Sequence, residues 1–138
     1  MADYLYDSNG VRTSARKGDD DKPITDVNIK GSEVKEVVLH NSTVANNNGS
    51  EFEVGQFKTL TLEVYGTATA HKVVFEGCSK SGTWYPIQGI RVSDFASATE
   101  TTTKGEVWEF GVTGLEKFRA RLATVTGGNI NVKGNAVS

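Results

Sequence analysis

The sequence predicts an all-β fold: an antiparallel β-sandwich, jelly-roll or immunoglobulin-like, of about seven or eight strands behind an extended N-terminal arm. Three observations point there. From Glu33 onward apolar residues recur at every second position, the period of a half-buried strand. Fifteen glycines against two prolines punctuate the chain into short elements joined by turns. No segment combines helical apolar spacing with helix caps.

The first 32 residues differ from the rest. Asp3, Asp7, Asp19, Asp20, Asp21 and Asp26 are scattered among glycines, serines and asparagines, and large apolar residues are few. Such a stretch buries too little surface to fold alone. It reads as an extended arm (1–32) with Tyr4, Leu5 and Tyr6 as its docking plug; a disordered tail is the competing reading. The sandwich domain is assigned to 33–138.

The strands follow in order. "EVKEVVLH" (33–40) is a strand with Val34, Val37, Val38 and Leu39 partly buried, and "NSTVANNNGS" (41–50) is a turn-rich loop. "QFKTLTLEVYG" (56–66) is the cleanest alternation, with Leu60, Leu62 and Val64 on one face. "HKVVFEGC" (71–78) places Val73 and Phe75 together, and "SKSG" (79–82) reads as a tight turn in which Gly82 takes positive φ. "TWYPIQGIRVSDF" (83–95) is the return strand; Pro86 cannot donate a ladder hydrogen bond and belongs at an edge or a bulge. After the polar connection 96–105, "EVWEFGV" (106–112) alternates again. In "GLEKFRARLATVTGGNINVKG" (114–134), Phe118, Ala120 and Leu122 point one way and Lys117, Arg119 and Arg121 the other. Gly127-Gly128 then reads as a hairpin turn, with Ile130 and Val132 resuming the inward set. The arginines need no ligand on this reading, because charged residues on a one-sided sheet are ordinarily its solvated face.

The totals narrow the function. A net charge of −2 argues against a general nucleic-acid binder, which needs a basic excess to displace counterions. A single cysteine, Cys78, excludes an intrachain disulfide and a multi-cysteine zinc site, and suits a reducing compartment or assembly inside a cell before release. The opening residues lack a signal-peptide layout, and no apolar run approaches the roughly 18 residues of a membrane span. The chain therefore reads as soluble, made in a cytoplasm, with no nucleic-acid and no membrane partner.

No catalytic set is legible. His40 and His71 lack ligand spacing, and a lone histidine on a strand is more often structural or exposed. Cys78 reads as a small apolar filler. "GDDDK" (18–22) lacks the alternating ligands, central glycine and closing glutamate of a calcium loop. The pairs Glu51/Glu53 and Asp94/Glu100 have no evident reason to flank a glycosidic bond. The expectation is a non-enzyme without cofactor or metal. The aromatic residues are more informative. Trp84 and Tyr85 are adjacent, so on a strand one is buried and the other exposed; an exposed aromatic serves a subunit interface or stacks on a sugar. Core packing is the first expectation for Trp84 and Trp108.

Two stretches then carry a resemblance. "VVFEGCSKSGTWYPIQG" (73–89) resembles a hairpin of tailed-bacteriophage virion proteins: a strand ending in Phe-Glu-Gly, a Ser-Gly turn, then Thr-Trp-Tyr. "GLEKFRARLATVTGGNINVKGNA" (114–136) resembles the closing hairpin of the same modules. With Val107-Trp108 they cover roughly the last half of the chain; Cys78 stands where a polar turn residue is expected. The resemblance implies a structural virion component: a capsid-associated decoration or head-fibre protein, or a tail or baseplate accessory that binds a host cell-wall glycan. A polysaccharide lyase or hydrolase ranks last. It further implies other virion proteins as partners and a homo-oligomer, by phage analogy a trimer. The candidate interaction residues are Tyr4, Leu5 and Tyr6 in the arm, and Trp84, Tyr85, Arg91, Arg119 and Arg121 in the sandwich.

Overall fold

The computed structural model describes residues 31–138, and those residues contain no helix. Eleven strands run in chain order: β1 (Val34–Thr43), β2 (Phe52–Glu53), β3 (Thr59–Gly66), β4 (Ala70–Cys78), β5 (Trp84–Pro86), β6 (Gly89–Arg91), β7 (Ser97–Ala98), β8 (Glu100–Thr101), β9 (Glu106–Gly111), β10 (Lys117–Thr126) and β11 (Ile130–Val137). They form two antiparallel sheets, one ordered β1-β11-β3-β9-β6-β7 and the other β2-β10-β4-β5, with β8 also on β4. The all-β sandwich is as expected. The higher strand count comes from five pieces of two or three residues, β2 and β5–β8, which lack the length to show a period in sequence.

Alternation builds the core. Leu60, Leu62 and Val64 of β3 are fully buried, as are Phe118, Ala120 and Leu122 of β10. Phe75 and Phe118 from one sheet interleave with Trp108 and Phe110 from the other. Phe75 lies 5.4 Å from Trp108 and 4.7 Å from Phe110, and Phe110 lies 4.9 Å from Phe118, between ring centroids. Tilted and edge-on arrangements at such distances are the favoured ones for aromatic pairs. The expected core role of Trp108 holds.

Three local readings are corrected. On β1, Val37 and Leu39 are buried, but Val34 is 68% and Val38 41% exposed. Val34 and Val38 fall at positions opposite in parity to Val37 and Leu39, so alternation puts them on the outer face; the bulge between Val38 and His40 then lets His40 follow Leu39 into the interior. The stretch 83–95 is not a single return strand. β5 pairs with β4 in one sheet, and β6 pairs with β9 in the other; Pro86 does sit on an edge strand, as its missing N–H requires.

The third correction concerns Gly127-Gly128, which makes no hairpin. β10 pairs with β4, whereas β11 pairs with β1 and β3. The glycines carry the chain from one sheet to the other, alongside the parallel transfer of Thr67–Thr69 between β3 and β4. The two crossings are stitched together. Thr67 and Ala68 N–H both donate to the Asn129 carbonyl at 2.9 and 3.0 Å, Thr69 N–H donates to Thr126 O at 2.9 Å, and Asn129 N–H donates to Thr67 Oγ1 at 3.1 Å. Gly127 and Gly128 have φ of 71° and 148°, and a Cβ on Gly128 would lie 2.6 Å from the Thr67 carbonyl. Close backbone approach, together with positive φ, is what demands glycine here.

Candidate functional site

The outer face of the sheet β2-β10-β4-β5 gathers the candidate site. Register places Arg119 directly opposite Glu76 and Arg121 opposite Val74, so both guanidinium groups reach one carboxylate. Arg119 Nε donates to Glu76 Oε1 at 2.8 Å and Arg121 Nε to Oε2 at 3.1 Å. The Glu76 and Arg119 side chains are only 10% and 14% exposed; Arg121 is 37% exposed. The strip is therefore not the simple wet face expected. A nearly buried carboxylate organises it, and charge-assisted bonds hold its two cations in place. Trp84 enters from β5, opposite Cys78, and the Arg119 guanidinium stacks over its ring, 4.1 Å from the centroid.

Along the same face Lys117 donates to Glu51 at 3.2 Å and lies 3.9 Å from Glu53; the hydrogen bond to Glu51 and the charges of both carboxylates hold its ammonium pKa above the ordinary value. Lys72 and Glu100 pair at 3.6 Å. Tyr85 falls on the opposite side of β5 and is 53% exposed, whereas Trp84 is half-buried under Arg119. That settles which of the two adjacent aromatics faces solvent.

Arg91 belongs to a different cluster. Its Nε and Nη2 grip Asp94 at 2.9 and 2.8 Å, and its Nη1 donates to Glu106 at 2.8 Å. Glu106, buried, also accepts from Thr101 Oγ1 and, at 3.1 Å, from Trp108 Nε1. The Arg91 fork and the Ala96 N–H hold the Asp94 carboxyl down at about 2, and the two carboxylates raise the Arg91 pKa. Arg91 thus ties the β6–β7 turn to the indole of the core tryptophan. Tyr4, Leu5 and Tyr6 lie outside the described residues.

The two histidines play a part that their spacing did not signal. His40 is buried, with Nε2 2.6 Å from the Ala120 carbonyl and Nδ1 3.0 Å from Thr43 Oγ1. A carbonyl only accepts, so Nε2 carries the proton and donates, and Nδ1 accepts from the threonine hydroxyl. That bond joins β1 of one sheet to β10 of the other. Burial holds the His40 pKa below the usual histidine value despite the carbonyl contact. His71 is also buried, and among the described residues its Nε2 has no hydrogen-bond partner. Burial first, then the Lys104 charge, lowers its pKa, against the opposing pull of Glu106 and the Thr103 backbone.

An open depression of about 390 Å³ adjoins the arginine pair, lined by Asn46, Asn47, Asn48, Arg121, Leu122 and Ala123. Asn47 fixes the loop to β10: its N–H donates to Leu122 O at 3.0 Å, and Leu122 N–H donates to Asn47 O at 2.8 Å. The asparagine run was legible only as a turn-rich loop. Its neighbourhood to Arg121 is a product of the pairing.

Comparison with known proteins places this architecture. The chain is 42% identical over 107 residues to the uncharacterized protein YqxG of Bacillus subtilis (strain 168), covering 78% of this chain and 36% of YqxG. It is 34% identical over 110 residues to the phage-like element PBSX protein XepA of the same strain, covering 80% of this chain and 39% of that protein. The SPbeta prophage-derived uncharacterized protein YomS, also of that strain, is 31% identical over 100 residues, covering 72% of this chain and 84% of YomS. In these sequence matches the chain thus spans under two-fifths of the length of YqxG and of XepA. The crystal structure of YomS superposes with a TM-score of 0.75 at 29% identity, covering 82% of this chain and all of YomS. That of the PBSX exported protein XepA superposes with a TM-score of 0.79 at 28% identity, covering all of this chain and 49% of XepA. The resemblance to phage proteins therefore holds at the level of prophage-derived relatives. Residues 33–136 match the XepA family, and the chain belongs to that family.

Proposed function

We propose that this chain is a non-enzymatic structural component of a phage-type particle, specifically a capsid-associated decoration or head-fibre protein located in the virion. It would assemble through its N-terminal arm and sandwich surface onto other particle proteins, as a homo-oligomer whose trimeric form rests on the phage analogy alone. The observation that supports this reading is the use made of the charged residues. Arg119 and Arg121 both pair with Glu76, and Arg91 pairs with Asp94 and Glu106. These groups serve to hold strands and turns in place, as a scaffold requires, in a family with prophage-derived members.

The test is co-sedimentation with empty capsids of the encoding phage. Full-length protein pellets with capsids, and a chain lacking residues 1–32 stays in the supernatant while retaining its β-sheet circular dichroism. Equal pelleting of the truncated chain removes the arm as anchor, and a full chain that never pellets removes the head assignment.

Tyr85 favours a second reading, that of a tail or baseplate accessory binding a host cell-wall glycan. A half-exposed aromatic on an edge strand, on the side of β5 away from the Trp84–Arg119 stack, is a surface a sugar ring can stack on. Binding to host cell-wall polysaccharide that Tyr85→Ala weakens would favour it over capsid attachment.

A further inference from the structure

We propose that the depression beside Arg121 binds a carboxylate-bearing saccharide. This goes beyond the particle role above and does not depend on it, since a head or a tail protein could carry such a site. Four observations lead to it.

The first is charge. Glu76 carries one negative charge and is shared by two guanidinium groups, so the cluster has one cation in surplus. The neighbouring Lys72 is neutralised by Glu100. Of the two arginines, Arg119 is sandwiched between Glu76 and Trp84. The surplus therefore sits on Arg121, the more exposed of the pair and the one that lines the depression.

The second is geometry. Among the described residues, only Nε of Arg121 is committed, to Glu76. The Nη edge of the planar fork stays available for a ligand, and a carboxylate matches that fork with two parallel bonds. One surplus charge suits a singly charged carboxylate better than a phosphate dianion.

The third is the remainder of the lining. Three consecutive carboxamides, Asn46, Asn47 and Asn48, stand at the rim. Each side chain both donates and accepts, as vicinal hydroxyls require. Asn47 Oδ1 is already engaged by Gly49 N–H at 2.6 Å, which leaves Asn46 and Asn48 as the principal hydroxyl contacts.

The fourth is rigidity. The loop is held before any ligand arrives, by the two Asn47–Leu122 backbone bonds and by Ser50 N–H donating to Leu39 O at 3.0 Å. Gly49 packs against His40, which is itself bonded to Ala120 O. A preformed loop avoids the ordering cost that weakens flexible sites. The open depression, of about 390 Å³, falls within the volume range of small-ligand sites.

The experiment is an NMR titration of the ¹⁵N-labelled full chain, reading backbone amides, asparagine carboxamides and the Arg121 Nε. The probes are trigalacturonate and its neutral counterpart, galactotriose. Trigalacturonate shifts the resonances of Asn46, Asn48, Arg121, Leu122 and Ala123 with a dissociation constant near 1 mM, and galactotriose binds at least about fivefold more weakly. Arg121→Gln weakens trigalacturonate binding about tenfold or more, as loss of a charged bidentate contact entails. Asn48→Ala, at an exposed loop position that leaves the Glu76 cluster intact, weakens both sugars. Absence of shifts at these residues at about 10 mM trigalacturonate, equal binding of the two sugars, or undiminished binding by Arg121→Gln would each overturn the assignment.

Discussion

Replacing Gly128 by alanine tests the account of the two crossing connections most directly. The added Cβ would stand 2.6 Å from both the carbonyl carbon and oxygen of Thr67 and 2.7 Å from the Ala68 nitrogen. All three are backbone atoms of a segment tied to the Asn129 carbonyl through the Thr67 and Ala68 N–H groups, so no rotamer change relieves the contact. The φ of 148° adds a conformational penalty of about 1–2 kcal/mol for an L side chain. Forcing the crossing apart by close to an ångström adds about 1–3 kcal/mol, the cost of overpacking. The sum is about 3 kcal/mol, which lowers the melting temperature by roughly 12–24 °C in a domain of this size. Gly127→Ala is the internal control. Its φ of 71° lies in the ordinary left-handed region, and its closest neighbour, 2.4 Å away, is the Thr69 hydroxyl, a side-chain atom that can rotate aside. It forfeits one exposed hydrogen bond from Thr69 Oγ1 to Thr126 O and costs about 1–2 kcal/mol. Urea unfolding followed by tryptophan fluorescence measures both, with an unchanged slope showing that stability alone moved. If Gly128→Ala costs no more than Gly127→Ala, the side-by-side crossing is not what requires the glycine pair.

Three other predictions bear on the site and the core. Glu76→Gln leaves two guanidinium groups against no carboxylate and costs about 2–3 kcal/mol, the usual loss on breaking a buried pair reduced for the exposure of Arg121. Arg121→Gln costs under about 1 kcal/mol in the same urea titration, and the reverse order would refute the central role of Glu76. Because burial lowers the pKa of both His40 and His71 in the fold, the unfolded chain binds more protons below the ordinary histidine pKa of 6.5. Stability is therefore full above that pH and falls below it, by up to about 1.4 kcal/mol per pH unit for each histidine. His40→Gln, which can still donate to the Ala120 carbonyl, removes its share of the slope; a melting temperature flat from pH 7.5 to 5.5, bracketing that pKa, would contradict the burial argument. Trp84→Ala removes the aromatic platform under Arg119 and costs about 1–2 kcal/mol, whereas Tyr85→Ala, at a half-exposed edge position, costs less than about 0.5 kcal/mol; equal losses on thermal unfolding would mean the stack contributes nothing.

The period-two pattern determined much of this protein unaided. Leu60, Leu62 and Val64 or Phe118, Ala120 and Leu122 bury as written, because a strand's side chains alternate whatever it pairs with. Gly82 closes its turn with positive φ and an N–H bond to Ser79 O at 2.9 Å, because that geometry is local. Partner choice is not local. Nothing in Gly127-Gly128 distinguishes a hairpin from a transfer between sheets, since both need positive φ; only the pairing of β10 with β4 and of β11 with β1 and β3 decides it. Likewise Arg119 and Arg121 alternate outward in sequence, but it is the register against Glu76 that gathers both guanidinium groups on one nearly buried carboxylate. The pairing of Asn47 with Leu122, 75 positions later in the chain, likewise sets three asparagines beside Arg121. Local chemistry wrote the strands and turns. Long-range pairing, whose loop-closure cost is met only when the whole sandwich forms, decided which of them meet.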